Sequence, residues 1–177
     1  MSPVFVAYIE AVYYMKQVKL SKRLSALADY IDDGATVADI GTDHGFLPVY
    51  LVQTDSVKSV IASDISAASL SSARRTAADA GITDSILFMV TAGLDGISPS
   101  DVDTVVIAGM GGETILSILK DAPWTKSGTV KLILQPQSKI DLLSAFLYDN
   151  GYKMLETKYV TDRGKRYLVI LSVGTGE

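Results

Sequence analysis

Ala38-Asp39-Ile40-Gly41-Thr42-Asp43-His44-Gly45 is the stretch whose reading decides the fold. It ends one apolar run, Thr36–Ile40, and opens into another, Gly45–Gln53. A short strand, a glycine turn and a helix in succession is the unit that feeds a parallel sheet. Glycine in such a turn permits tight curvature and close approach of the backbone to a ligand. The spacing departs from G-x-G-x-x-G, because Asp43 takes the place of the middle glycine. A carboxylate there repels a pyrophosphate at the helix N-terminus and suits a ligand carrying positive charge. The plainer alternative is a tight strand-to-helix turn with a helix-capping aspartate.

Outward from this turn, strands and helices alternate. Upstream, Leu20, Leu24, Leu27 and Ile31 share one face of a helix expected over Lys19–Ile31, closed by Asp32-Asp33-Gly34. Downstream come a strand at Ser59–Ser63 and a helix capped by Ser66 that runs to Gly81. Strands at Ile86–Val90 and Thr104–Ala108 follow, then a helix at Glu113–Lys120 and a strand at Leu132–Leu134. Ser138 and Asp141 suggest a capping box for a helix ending at Gly151. Two longer strands, Lys153–Val160 and Tyr167–Val173, are joined through Thr161–Lys165 as a hairpin. Val105-Val106-Ile107 is apolar without alternation, as a parallel strand buried on both faces must be. Five αβ units and a final antiparallel hairpin predict an α/β, Rossmann-like class I methyltransferase fold. It has a seven-stranded, mostly parallel sheet with helices on both faces. A nicotinamide-binding fold would continue with a parallel sixth strand.

Ligands of such sheets sit at the carboxyl ends of the strands. After the second strand comes Asp64, 23 residues beyond Gly41 (64 − 41). An acid about 20 residues on accepts ribose hydroxyls, with Ile65 placed against an adenine; Asp64 can equally cap the next helix. After the third strand, Ala92-Gly93-Leu94 offers backbone to an adenine edge. After the fourth, Ala108-Gly109-Met110-Gly111-Gly112 leaves an open floor. The Asn/Asp-Pro-Pro-aromatic sequence of many exocyclic-amine methylating enzymes is absent there. S-adenosyl-L-methionine, which carries an ammonium and a sulfonium, is the expected cofactor. Its candidate contacts are Asp39, Gly41, Thr42, Asp43, His44, Gly45, Asp64, Ile65, Ala92, Gly93, Leu94, Ala108, Gly109 and Met110. Asp43, Met110 and Gln135 are the candidate catalytic residues. Gln135-Pro136-Gln137 can offer amides to a base edge or form a plain polar loop. His44 is read as a turn residue or base contact rather than a general base.

Composition narrows the rest. The 177 residues suit one domain, and 48% hydrophobic content supplies a core. With no cysteine and one histidine, neither disulfides nor thiolate or His-rich metal sites are available, so no metal is expected. No apolar run is long enough to span a bilayer, and a cytoplasmic location is expected. The net charge of −4 excludes polyanion binding over the whole surface. Two local basic runs stand out, one with Lys16, Lys19, Lys22 and Arg23, the other with Lys158, Arg163, Lys165 and Arg166. Each is either a solvated surface or a phosphate-contacting footprint. Residues 1–18 are read as an N-terminal extension and 19–177 as the domain. Met15 is the expected natural start, and an extra helix over 1–14 is the alternative.

Together these residues resemble the bacterial tRNA (adenine-22-N1)-methyltransferase family. The resemblance rests on Leu20-Ser21-Lys22-Arg23-Leu24, Ala38–Pro48, Ala62-Ser63-Asp64, Ile107–Gly112, Leu132–Gln137 and Gly164-Lys165-Arg166-Tyr167. It implies methyl transfer to N1 of a tRNA adenine, with Lys19, Lys22, Arg23, Arg163, Lys165 and Arg166 as tRNA contacts. Two departures accompany it. The family's Gly-Asp-Gly-Leu after strand three is replaced by Ala92-Gly93-Leu94-Asp95-Gly96, and the family's helical C-terminal domain is expected to be absent. A small-molecule methyltransferase is the rival enzyme, but no insertion is long enough for a lid over the site. A non-catalytic cofactor-binding module is the rival outside catalysis.

Overall fold

The computed structural model describes residues 17–176. The readings made for residues 1–16 lie outside the described residues. Seven strands form one sheet: β1 (Ala35–Ile40), β2 (Val57–Asp64), β3 (Ile86–Val90), β4 (Thr104–Met110), β5 (Lys131–Pro136), β6 (Tyr152–Asp162) and β7 (Lys165–Gly174). Their spatial order is β3-β2-β1-β4-β5-β7-β6, with β1 to β5 parallel and β7 antiparallel to both β5 and β6. The helices are α1 (Lys22–Ala28), α2 (Phe46–Gln53), α3 (Ala67–Asp79), α4 (Gly112–Asp121) and α5 (Ile140–Asp149).

Burial on both faces explains why the central strands lack alternation. In β4, Val105 and Ile107 pack toward Ile115 and Leu119 of α4 and Leu143 and Leu147 of α5. Val106 turns the other way, toward Leu27 of α1 and Leu47 and Leu51 of α2. Ala73 and Ala77 of α3 pack beyond them against Ala62 and Phe88. The sheet is therefore the middle layer of three.

Several elements differ in their bounds from those expected, and three of the differences have a local reason. First, α1 is shorter than Lys19–Ile31. Ser21 caps it by accepting from the Leu24 N–H at 3.4 Å, and Asp162 Oδ2 accepts from the Arg23 N–H at 3.3 Å. Leu20 and Ile31 still pack on the core from outside the helix. Second, the expected capping box at Ser138 and Asp141 is replaced. Lys139 holds the N-cap position of α5 at φ 53° with no side-chain cap, and the Ser138 carbonyl accepts from the Gly112 N–H at 2.8 Å. Third, the hairpin turn is only two residues, Arg163 (φ 48°) and Gly164 (φ 78°). Two left-handed residues in a row match the twist of the flanking strands. At the start of the described residues, the Val18 N–H donates to Gln53 Oε1 at 2.9 Å and Val18 packs against the core near α3.

Gly112 makes α4 sensitive to a single methyl group. A Cβ there would lie 2.5 Å from the Lys139 carbonyl oxygen and 2.8 Å from that of Ser138. Both obstacles are backbone. Gly112→Ala is expected to cost about 1–3 kcal/mol of stability in urea denaturation. An unchanged midpoint would show that the α4–α5 junction yields.

Candidate functional site

The strand order reverses between β1 and β4, so the loops after them diverge and leave a crevice. A cavity of about 930 Å³ opens there, toward the upper end of the range for ligand pockets. Its floor is the β1 turn. Gly41 (φ 73°) and Thr42 both donate backbone N–H groups to the Ser63 carbonyl, at 2.8 and 2.9 Å. The Asp43 N–H donates to Asp64 Oδ2 at 3.2 Å. A Cβ on Gly41 would fall 2.2 Å from the Met110 Cε, so the thioether of β4 rests directly on this glycine.

Asp39, the last residue but one of β1, lines the cavity and is only 6% exposed. Burial raises its carboxyl to about 6; the neighbouring Thr42 side chain and Arg23 oppose the rise, and Asp64 adds to it. The Thr42 hydroxyl tempers Asp39 yet has no hydrogen-bond partner of good geometry, and neither has the buried Ser63 hydroxyl. A buried carboxylate beside a hydroxyl that lacks a well-placed partner, both lining a cavity, is an arrangement a cationic or hydrogen-bonding ligand would complete.

Asp64 stands at the end of β2 with Oδ1 accepting from the Ser66 N–H at 2.8 Å. Ser66 itself caps α3, so Asp64 is not the cap but is aimed by the turn it holds. Ile65 beside it is 76% exposed on the cavity wall, an apolar face with room for a planar ring. Ala92, Gly93 and Leu94 also line the cavity, and a Cβ on Gly93 would lie 3.0 Å from the Ile118 side chain. Asp95, the acid displaced from the family pattern, also lines the cavity.

Of the candidate cofactor residues, all but Gly45 line this cavity. Gly45 instead receives α3: a Cβ there would lie 2.8 Å from that of Ala73. Among the candidate catalytic residues, Asp43 and Met110 line it. Gln135 is fully buried behind the wall. Its Oε1 accepts from Arg23 Nη1 at 3.0 Å and from the Gly109 N–H at 3.2 Å, and its Nε2 donates to the Pro136 carbonyl at 3.1 Å. It therefore supports the wall, while Gln137 reaches the cavity in its place. His44 is exposed, packed beside the Phe46 ring at 5.7 Å and 3.9 Å from Asp43 Oδ2.

The basic runs divide. Lys22, Lys165 and Arg166 are exposed, with Arg166 lying over the Tyr159 ring at 4.3 Å. Lys19 and Arg163 sit on the cavity rim. Arg23 turns inward beneath them, over the Tyr167 ring at 5.6 Å. Tyr167 and Asp162 are cavity residues that periodicity could not nominate, because only the pairing of the last hairpin with α1 brings them there. Among the described residues, no group of three or more His, Cys, Asp or Glu is placed to hold a metal ion. No described helix is long and apolar enough to cross a membrane.

Comparison with known proteins agrees with this geometry. Residues 20–170 match a family described as a methyltransferase domain. The tRNA (adenine(22)-N(1))-methyltransferase of Bacillus subtilis is 35% identical over 158 residues, 89% of this chain and 66% of its own length. The crystal structure of the B. subtilis tRNA methyltransferase TrmK superposes with a TM-score of 0.83 at 35% identity, covering 89% of this chain and 68% of that one. A Streptococcus pneumoniae structure in complex with S-adenosyl-L-methionine gives 0.83 at 32% identity, covering 90% and 75%. The M. capricolum TrmK bound to S-adenosyl-homocysteine gives 0.77 at 29%, covering 87% and 68%. The chain thus spans about two thirds of the curated relative it matches. With a methyltransferase domain matched over residues 20–170 and 35% identity to the B. subtilis enzyme in sequence and structure, the chain belongs to the bacterial tRNA (adenine-22-N1)-methyltransferase family.

Proposed function

We propose that this chain binds S-adenosyl-L-methionine in the β1–β4 cavity and transfers its methyl group to N1 of an adenine in tRNA. The observation that carries the reading is the polarity of the cavity. The ends of β1, β2 and β3 bring Asp39, Asp43, Asp64 and Asp95 to one side, and α1 with the β6–β7 turn brings Lys19, Arg23 and Arg163 to the other, with Asp162 beside them and Asp121 at the end of α4. A cationic cofactor fits the first side and a phosphodiester substrate the second. The buried Asp39, the unpaired Thr42 hydroxyl and the glycine turn match an amino-acid moiety, and Asp64 with Ile65 matches a nucleoside.

The cofactor supplies an electrophilic methyl on a sulfonium: the N1 lone pair forms the new C–N bond as the C–S pair returns to sulfur. No proton leaves the neutral base in that step, so the chain needs no general base. Its residues have two tasks, positioning the acceptor and tolerating the charge that arrives on it. Asp162, the carboxylate beside Arg23 on the acceptor side, serves the second task together with the cofactor-side acids. A cytoplasmic location follows from such a substrate.

Incubating the chain with unmodified tRNA and methyl-labelled cofactor, then mapping the modified base, tests the reading. Label at N1 of an adenine is expected; cofactor binding without transfer to any tRNA would favour a non-catalytic module. Lys22 and Lys165 are proposed phosphate contacts. Reversing both to glutamate is expected to weaken tRNA binding and to lower its salt slope by about one for each lysine replaced. An unchanged slope would leave them as solvated surface.

A further inference from the structure

The acceptor side of the cavity contains a construction that tRNA binding in general does not require. Arg23 belongs by sequence to a surface basic run, yet its guanidinium is drawn inward. It is held by the fully buried Gln135 at 3.0 Å and lies over the Tyr167 ring. The same Gln135 oxygen accepts from the Gly109 N–H. One buried amide therefore fixes both the arginine and the glycine of the β4 floor.

Above that glycine the space is bounded by donors. A Cβ on Gly109 would lie 3.7 Å from Arg23 Nη1 and 3.7 Å from Gln137 Nε2. Met110, next in sequence, rests on the cofactor-side turn at Gly41. Gly109 thus marks the junction between the two halves of the cavity. Lys22, exposed at the surface, is placed for a phosphate contact. The Arg23 fork, held by a buried amide and lying over an aromatic ring, presents its remaining donors in one fixed direction. Such a fork can meet a phosphate or a base edge, and its place beside Gly109, where the two halves of the cavity join, favours the base edge.

We propose that Arg23 is a base-orienting residue, donating a hydrogen bond to a ring nitrogen of the target adenine other than N1, so that N1 faces the methyl donor. The proposal rests on the adenine-N1 reading above. Gln135 acts as a positioning residue through Arg23, and Tyr167 backs the guanidinium from the far side. N3 and N7 are the two ring nitrogens that remain free to accept once N1 is aimed at the methyl group. An adenine turned over would present its amino group or N7 to the donor instead.

The test uses the 177-residue chain with three tRNAs, carrying adenine, 3-deazaadenine or 7-deazaadenine at the methylated position. Removing either ring nitrogen makes N1 more basic, so slower transfer cannot come from a poorer nucleophile. The wild-type chain is expected to methylate one of the two deaza substrates about 100-fold more slowly than adenine, chiefly in kcat. Arg23→Ala and Arg23→Lys are expected to be slow on adenine and to lose that discrimination at saturating cofactor, where an effect of Arg23 on Asp39 and cofactor affinity does not enter the rate. Gln135→Met should lose it too, although Arg23 is still present, because its guanidinium is no longer held. Equal wild-type rates on all three substrates would overturn the role of Arg23, as would discrimination that survives in Arg23→Ala. No transfer by the wild-type chain to any of the three would instead sink the adenine-N1 reading itself.

Discussion

Asp64→Ala is expected to weaken S-adenosyl-L-methionine binding about 100-fold in calorimetry, the loss of close to 3 kcal/mol that two charge-assisted hydrogen bonds carry. Its carboxylate closes β2 within the cavity and is held from two sides, by the Ser66 and Asp43 backbone N–H groups. Those bonds leave lone pairs on both oxygens for a ribose diol. The substitution also frees the Asp43 N–H and so loosens the β1 turn, which makes Asp64→Asn the informative companion. An asparagine oxygen can still accept from one of the two backbone groups, but the amide offers a ribose only one acceptor and no charge. Asn is therefore expected to fall between wild type and Ala. If Ala binds the cofactor as wild type does, the nucleoside half of the ligand is misplaced. If Asn equals wild type while Ala fails, Asp64 serves the turn alone.

Much of this half of the site was legible in the sequence, because it depends on local offsets. A parallel strand buried on both faces must be apolar, so β1 and β4 announce themselves. Once their ends are known, Asp64 and the two glycine loops are located by counting. The capping box at Ser138 misled for the opposite reason. Side-chain caps are chosen locally, but here the Ser138 carbonyl is committed to Gly112 of another helix, and Lys139 takes a left-handed conformation to allow it. The acceptor half was hidden for the same kind of cause. Lys22 and Arg23 are adjacent cations with no local difference between them. Their fates separate only because Gln135, 112 residues away, and Asp162, 139 residues away, reach one and not the other. Gln135 looked like a group that would touch the substrate. Full burial makes it a support, since its oxygen and its amide nitrogen are already committed.

Asp39 gives the prediction in which stability and binding move in opposite directions. The folded protein holds this carboxyl at about 6 against an ordinary 3.8, chiefly because burial disfavours its charge. A folded-state value above the unfolded one means that the native state binds the proton more tightly. The resulting stabilisation is complete below about pH 4 and is lost as pH rises through about 6. Above that, the ionised Asp39 burdens the ligand-free protein by about 3 kcal/mol, following the size of that shift. Asp39→Asn removes the burden while leaving an amide that can meet the Thr42 hydroxyl, and Arg23 keeps Gln135 and the Tyr167 ring. The ligand-free variant is accordingly expected to melt higher than wild type at neutral pH, and to lose the part of the pH dependence that falls between about 4 and 6. Cofactor binding should show the reverse. A bound cation favours the ionised carboxylate, so wild-type affinity is expected to climb as pH rises through 6, with a proton released on binding at the lower end. Asp39→Asn should bind at least 10-fold more weakly at neutral pH and with little pH dependence, about the cost of removing one buried counter-charge. Thermal melts across pH, with titrations in buffers of different ionisation enthalpy, read both halves. A variant that is less stable and still binds normally would mean that Asp39 is held charged by its neighbours, and that the cation sits elsewhere. The expected outcome is instead a cavity whose unfavourable charge is kept because only its ligand relieves it.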